Sequence, residues 1–251
     1  MHGHVPDGDR PPVNQESRWP SRSSTLRYRA AVRVALTFDA EHPDRPRCPP
    51  DGPARILEIL ARQGVPATFF LQARWARAYP ELARRITGEG HMVGSHSFFH
   101  VRLPFLSDRG LAFDIAEADR WIREVTGVDP RPLFRCPWGD GASDPRVTSA
   151  LERAGYRHVG WDVVAEDWEE TRTAREVEAD VIDGAVAAGD GAVVLMHTWP
   201  ASAVEALPGI LEGLGDRGAR FVSVAELRDR DLARAEDPQE AAENPTAEAG
   251  E

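Results

Sequence analysis

Residues 67–100 read ATFFLQARWARAYPELARRITGEGHMVGSHSFFH and contain the pattern most indicative of the fold class. A short apolar run at residues 67–71 is followed by an amphipathic stretch at residues 73–87 and then by a second short run at residues 91–94. Short apolar runs favour strands, whereas apolar positions three and four residues apart favour a helix. The order strand, helix, strand predicts a βαβ unit with two parallel strands.

The same alternation of apolar runs and amphipathic stretches extends over most of the chain. We predict strands at residues 32–38, 67–71, 91–94, 133–134, 158–161, 192–196 and 220–224. We predict helices at residues 53–63, 73–87, 108–126, 145–154, 173–188 and 202–214. Glycines directly after several helices, such as Gly64, Gly127 and Gly189, are typical of helix C-caps. This alternation predicts an α/β fold, a distorted (β/α) barrel with about seven parallel strands.

The two ends of the chain differ in composition from the middle. Residues 1–30 are polar and contain four prolines, and the chain from Ala235 to Glu251 has six acidic residues and no basic residue. Segments with so few large apolar residues cannot offset the entropy lost on ordering. We therefore predict a disordered N-terminal tail at residues 1–30, one domain at residues 31–230 and an acidic disordered C-terminal tail at residues 231–251.

The composition argues against several classes of protein. Mean hydropathy is -0.43 and no apolar run approaches the length of about 18 residues that a membrane span needs. A formal net charge of -11 argues against binding to nucleic-acid phosphates. Cys48 and Cys136 form neither a disulfide framework nor a four-ligand zinc pattern. Residues 1–30 lack the apolar region of a signal peptide, so we expect a cytoplasmic protein from the chain as written, or a secreted one if its leader is missing.

Polar residues stand at the carboxyl ends of most of the predicted strands. In strand order they are Asp39 and Glu41, His96, Arg135, Asp167 and His197. In (β/α) barrels the active site lies where the strands end. We therefore expect these side chains to converge in one site.

Two histidines with a suitable spacing, His96 and His100, suggest a metal site. On a helical turn, imidazoles four residues apart share one face and can reach a single ion. Such a pair alone is more often surface or core histidine, but its position after a strand favours a metal site. Imidazole suits Zn, Co, Ni or Fe, and an acidic third ligand leaves positions open for water and substrate. Asp39, Glu41 and His42 are the candidates for that third ligand.

In five ordered segments the chain resembles the polysaccharide deacetylases with a NodB homology domain, carbohydrate esterase family 4. The segments are Thr37-Phe38-Asp39, His96-Ser97-x-x-His100, Arg135-Cys136-Pro137-Trp138-Gly139, Asp167-Trp168 and Leu195-Met196-His197. The resemblance covers roughly residues 32–227, nearly the whole predicted domain. It implies a NodB-like barrel and a metal-dependent hydrolase that removes N-acetyl groups from acetylated sugars.

The resemblance also implies roles for the matched catalytic residues. Asp39 would be the catalytic base and Arg135 the arginine that keeps it ionised and oriented. His197 would be the general acid that protonates the leaving amine, and Asp167 the carboxylate that holds this histidine and raises its pKa. The backbone N–H of Trp138 would stabilise the oxyanion.

One departure from the family pattern concerns the metal ligands. The family has two adjacent aspartates after the first strand, first the base and then a ligand, and the second position is Ala40 here. Some members space the pair as Asp-x-Asp, which Asp39 and Glu41 fit. We therefore predict that Glu41, His96 and His100 bind a divalent metal ion, with Zn as the first choice and Co, Ni or Fe as alternatives. His42 as ligand, or a site that binds metal weakly or not at all, are the other readings of this departure.

Two further functions stay open at this point. The same fold would also suit hydrolysis of another amide, a ureide or an O-acetyl ester. Alternatively, Ala40 would mark a catalytically inactive sugar-binding relative, although the joint presence of Asp39, Arg135, Asp167 and His197 favours a hydrolase. The expected partner is an N-acetylated carbohydrate or a small acetylated substrate, and the missing signal peptide favours the small substrate.

Overall fold

The computed structural model describes residues 32–41 and 49–227. The strands are β1 Arg33–Ala40, β2 Thr68–Leu71, β3 Met92–Ser95, β4 Leu133–Phe134, β5 Arg157–His158, β6 Val163–Val164, β7 Ala192–His197 and β8 Arg220–Phe221. The α-helices are α1 Gly52–Gln63, α2 Ala73–Ala78, α3 Pro80–Gly88, α4 Asp108–Thr126, α5 Pro145–Arg153, α6 Ala174–Ala188 and α7 Ala201–Asp216. Short 3-10 helices lie at Leu103–Phe105, Pro137–Gly139 and Val224–Glu226. Within the described ranges, no helix is both long and apolar enough to span a bilayer.

All strands belong to one parallel sheet. Seven of them follow the order β5-β4-β3-β2-β1-β7-β6, and β8 pairs with the first two residues of β1. Every paired neighbour runs parallel, as expected for strands joined by helices. The sheet curls into a half-barrel whose path ends at β5 and β6. The predicted distorted (β/α) barrel with about seven parallel strands is therefore confirmed.

The central strand β1 separates two apolar clusters. Leu36, Phe38 and Ala40 belong to the main core, which the sheet shares with the helices. Ala35 belongs to a second cluster on the opposite face of the strand, together with Trp161. This division follows from the alternation of side chains along a strand. It also decides which residues at the end of β1 can enter a site on the inner face.

Three predicted elements are wrong in detail. The strand expected at residues 220–224 ends at Phe221, and Val224 begins a 3-10 helix. The single helix expected at residues 73–87 is two helices, because Pro80 has no backbone N–H to continue α2 and instead begins α3. The strand expected at residues 158–161 ends at His158, and a separate two-residue strand, β6, follows it. Between them, the carbonyl oxygens of Val159 and Gly160 accept hydrogen bonds from a buried arginine, as described below.

Several predictions fall outside the described residues. They are the two disordered tails at residues 1–30 and 231–251, His42 as an alternative ligand, and any role of Cys48. The domain boundaries at residues 31 and 230 also lie just beyond the described ranges. These stay predictions.

Candidate active site

Two carboxylates lie at the carboxyl end of β1. Because side chains alternate along the strand, Asp39 and Glu41 face the inner side of the sheet. Both are buried, with 3% exposure each. Ala40, between them, is fully buried in the apolar core on the other side. Residue 40 therefore faces away from the site, whereas Glu41 faces into it.

The two histidines come from the loop that follows β3. This loop is not a helical turn, so that part of the sequence argument was wrong: Ser97 has a φ of 62° and His100 a φ of 56°, both left-handed. The two imidazole rings nevertheless converge, with centroids 4.9 Å apart. A left-handed conformation is unfavourable for a residue with a side chain and persists only where the surroundings hold it.

Asp114 on α4 is one of the groups that hold this loop. The backbone N–H groups of Phe98 and Phe99 each donate to one of its carboxylate oxygens, at 3.0 Å. The N–H of His100 donates to the Ser97 hydroxyl at 2.9 Å. Burial raises the pKa of Asp114 above its ordinary value, and the two backbone hydrogen bonds only partly offset this rise. Sequence reasoning missed Asp114. The available signal was a carboxylate within the apolar stripe of α4.

Glu41, His96 and His100 form a compact cluster of possible metal ligands. One ligand atom from each lies within 4.8 Å of the other two, and all three residues are buried. His96 Nε2 is 3.3 Å from Glu41 Oε2 and 3.4 Å from Asp39 Oδ2. His100 Nε2 contacts the same Glu41 oxygen. No other such group of three was found among residues 32–41 and 49–227.

The orientation of His96 suits metal binding. Its Nδ1–H donates to the carbonyl oxygen of Arg135 at 2.8 Å. Because a carbonyl only accepts, Nδ1 carries a proton, and Nε2 is the ring nitrogen that faces Glu41 and would offer a lone pair to a metal ion in the neutral ring. Metal-binding histidines commonly have this arrangement, in which the second ring nitrogen donates to a carbonyl or carboxylate.

Arg135 is completely buried and holds Asp39. Its Nη1 donates to Asp39 Oδ1 at 2.9 Å and to the Thr37 hydroxyl at 2.8 Å. Its Nε and Nη2 donate to the carbonyl oxygens of Val159 and Gly160, at 3.1 and 3.0 Å. Burial lowers the pKa of Arg135 below its ordinary value, and the charge of Asp39 only partly offsets this fall. The guanidinium therefore joins the carboxyl end of β1 to the segment between β5 and β6, where the sheet is open.

His197 and Asp167 form a second buried pair. His197 Nδ1 donates to Asp167 Oδ1 at 2.7 Å, and the His197 backbone N–H donates to Oδ2 at 2.7 Å. Burial works to lower the pKa of His197, but the charge and hydrogen bond of Asp167, with Glu41 and Asp39, raise it to about 9. The free edge of the ring faces the cluster, since Nε2 is 3.9 Å from Glu41 Oε1.

Aromatic side chains and one leucine form much of the pocket wall, namely Trp138, Trp161, Trp168, Trp199 and Leu195. Trp138 is left-handed, with a φ of 56°, and its ring lies 4.2 Å from that of His100. The rings of Trp168 and Trp199 lie 5.2 and 5.8 Å from that of His197. Sequence reasoning missed Trp161, because it assigned that residue to a strand. Cys136 also lines the pocket, and burial raises the pKa of its thiol.

Comparison with known proteins agrees with this geometry. The sequence model described as polysaccharide deacetylase matches residues 28–159. The chain belongs to the polysaccharide deacetylase family. A peptidoglycan-N-acetylglucosamine deacetylase of Bacillus cereus is 31% identical over 202 residues, covering 78% of this chain and 68% of that protein. A chitooligosaccharide deacetylase of Azorhizobium caulinodans is 29% identical over 196 residues, covering 78% of this chain and 84% of that protein.

Solved structures of polysaccharide deacetylase relatives have the same fold. A carbohydrate esterase family 4 pseudoenzyme from Bacillus anthracis has a TM-score of 0.70 and 27% identity, covering 79% of this chain and 66% of that one. Membership of the polysaccharide deacetylase family therefore does not by itself establish activity. The function of this chain has to be argued from its own site.

Proposed function

We propose that this chain is a metal-dependent hydrolase that removes the N-acetyl group of an acetylated sugar. The observation that carries the proposal is the convergence of three groups at one edge of the sheet. They are the Glu41–His96–His100 cluster, the Asp39–Arg135 pair and the Asp167–His197 pair. Together these groups supply what amide hydrolysis requires.

The cluster fits a divalent metal ion. Two imidazoles and one carboxylate, all buried and pointing at one another, are a donor set that suits Zn and also Co, Ni or Fe. Zn is our first choice. When bound, such an ion polarises the acetyl carbonyl and makes water a stronger nucleophile at neutral pH. Glu41, His96 and His100 are the residues proposed to hold it.

Asp39 is the proposed base. Arg135 occupies its Oδ1, while Oδ2 faces His96 at 3.4 Å and is the oxygen on the side of the cluster. The hydrogen bond from Arg135 fixes the orientation of the carboxylate, and Oδ2 is the oxygen proposed to accept a proton from the attacking water. The backbone N–H of Trp138, in its left-handed turn, is the proposed donor to the oxygen that gains negative charge.

His197 is the proposed acid. With a pKa of about 9 it carries a proton at neutral pH, and Asp167 fixes the ring through Nδ1 so that Nε2 faces the cluster. An amine is a poor leaving group unless it is protonated, so a histidine held in the charged form favours an amide substrate over an ester. The tryptophans of the wall offer apolar faces to a sugar ring. A small soluble substrate and a cytoplasmic location stay predictions.

One experiment tests this proposal. Protein stripped with a chelator and reloaded with Zn or Co should release acetate from an N-acetylated chitooligosaccharide. Asp39→Asn should abolish turnover and leave the metal content unchanged, because Asp39 is proposed as base and not as ligand. Absence of turnover on every acetylated substrate, with metal fully bound, would contradict the proposal and favour an inactive sugar-binding relative. Faster release from an O-acetyl sugar would identify an esterase instead.

A further inference from the structure

We propose that Trp199 is a positioning residue that orients the carboxylate of Glu41 towards the two histidines. The inference rests on the proposed metal site and goes one step beyond it. The hydrogen bond from Trp199 would help Glu41, two residues after Asp39, to serve as the acidic metal ligand that Ala40 cannot be. The ring of Trp199 is also part of the pocket wall. The role proposed here belongs to its N–H alone.

The two oxygens of the Glu41 carboxylate have different partners. Oε1 accepts a hydrogen bond from the indole Nε1–H of Trp199 at 3.2 Å. Oε2 lies 3.3 Å from His96 Nε2 and contacts His100 Nε2. Because Oε1 is held on one side, Oε2 is the oxygen presented to both imidazoles. The hydrogen bond therefore selects one rotation of the carboxylate.

Such a restraint matters more for glutamate than for aspartate at this position. Glutamate has one more rotatable bond, so more side-chain freedom has to be lost when it becomes a ligand. Glu41 also lies just past the last residue of β1, where the ladder no longer fixes the backbone. An alternative position exists nearby, since Oε1 is only 3.9 Å from His197 Nε2. The indole N–H holds that oxygen at 3.2 Å, nearer than His197 Nε2.

The backbone places Trp199 well for this role. It lies between the end of β7 and the start of α7, in the short connection next to β1. The backbone N–H of Thr198 donates to the carbonyl oxygen of Asp39 at 3.1 Å. This hydrogen bond ties the connection to the same stretch of β1 that carries Glu41. The segment that carries the indole and the segment that carries the carboxylate are therefore neighbours joined by a backbone hydrogen bond.

The test separates the N–H of Trp199 from its ring. Trp199→Phe keeps an aromatic ring but removes the donor. Trp121→Phe is the matched control, because Trp121 on α4 is a partly buried tryptophan that contacts Arg77 and Arg120 and does not line the pocket. Zinc affinity is measured by competition with a chromogenic chelator, and the unfolding midpoint of each metal-free protein is measured in parallel. Loss of such an outer hydrogen bond typically weakens metal binding by about 10- to 100-fold.

We expect this loss for Trp199→Phe and unchanged affinity for the control. In a Glu41→Ala background, Trp199→Phe should cause no further loss. Equal zinc affinity of Trp199→Phe and wild type would overturn the inference. So would an equal loss with and without Glu41, because Trp199 would then act through another group.

Two further results keep the test decisive. If Trp199→Phe does not fold, 3-benzothienylalanine at position 199 replaces only the N–H by sulfur and keeps the shape of both rings, with the same expected loss of affinity. If the wild-type protein binds no zinc, the proposed metal site itself fails. Tight zinc binding by wild type and by Trp199→Phe alike would refute only the role of Trp199.

Discussion

Replacement of Asp167 by asparagine removes the charge beside His197 and keeps a side chain of nearly the same shape. In the native protein, burial works to lower the pKa of His197, and Asp167 is the main cause of its rise to about 9. The difference from the ordinary value of 6.5 corresponds to about 3 kcal/mol in favour of the charged imidazolium, at about 1.36 kcal/mol per pKa unit. Most of that preference should be lost in Asp167→Asn.

The direction of the pH effect follows from the role of an acid. A general acid acts only when protonated, so kcat falls as pH rises through the pKa of His197. A bound cation disfavours the imidazolium and places this fall below pH 9. Without the charge of Asp167, burial dominates and the pKa of His197 decreases. The alkaline limb of the pH profile should therefore move down by about 2 pH units.

The assay is acetate release by the zinc-loaded wild-type and Asp167→Asn proteins over the range from about pH 5 to pH 10, with kcat plotted against pH. Zinc content is measured for both, because the substitution should leave the metal site intact. An alkaline limb at the same pH in the two proteins, with equal zinc content, would refute the reasoning. The group that titrates would then not be His197.

The remaining predictions concern the residues that build the metal site. Glu41→Ala should sharply lower the zinc content measured by elemental analysis, and unchanged stoichiometry would assign the ligand elsewhere. Adding Ala40→Asp to that variant should not restore zinc, because residue 40 faces the apolar core; full restoration would show that the end of β1 can turn. Asp114→Ala should weaken zinc binding by about 10- to 100-fold, because the loop of His100 loses two hydrogen bonds. Asp114→Asn keeps one acceptor and should lose less, and equal affinity of all three proteins would exclude a role for Asp114.

Much of the fold could be predicted because its signals are local. The apolar runs of β1, β2, β3 and β7 and the amphipathic pattern of α4 depend on neighbouring residues alone. The break between α2 and α3 also had a local signal, Pro80, but the prediction of one helix at residues 73–87 did not use it. The short strand β6 was not, because two residues have no periodicity.

The candidate site likewise has features that the sequence predicts and features that depend on contacts between separate elements. Positions after strands predicted which residues converge, and the family pattern suggested their roles. The conformation of the loop between His96 and His100 was predicted wrongly, because it depends on Asp114, which lies 16 residues after Phe98 on another element. The hydrogen bond from Trp199 to Glu41 likewise joins residues 158 positions apart. Contacts of this kind leave no periodic signal in a single sequence.

The metal dependence of the reaction can be measured by a zinc titration of chelated protein, followed by acetate release from an N-acetylated chitooligosaccharide. We expect the rate of acetate release to rise with each addition and to stop rising at one zinc per chain. Stoichiometric zinc binding with no acetate released, on this substrate or any other N-acetylated sugar, would contradict it.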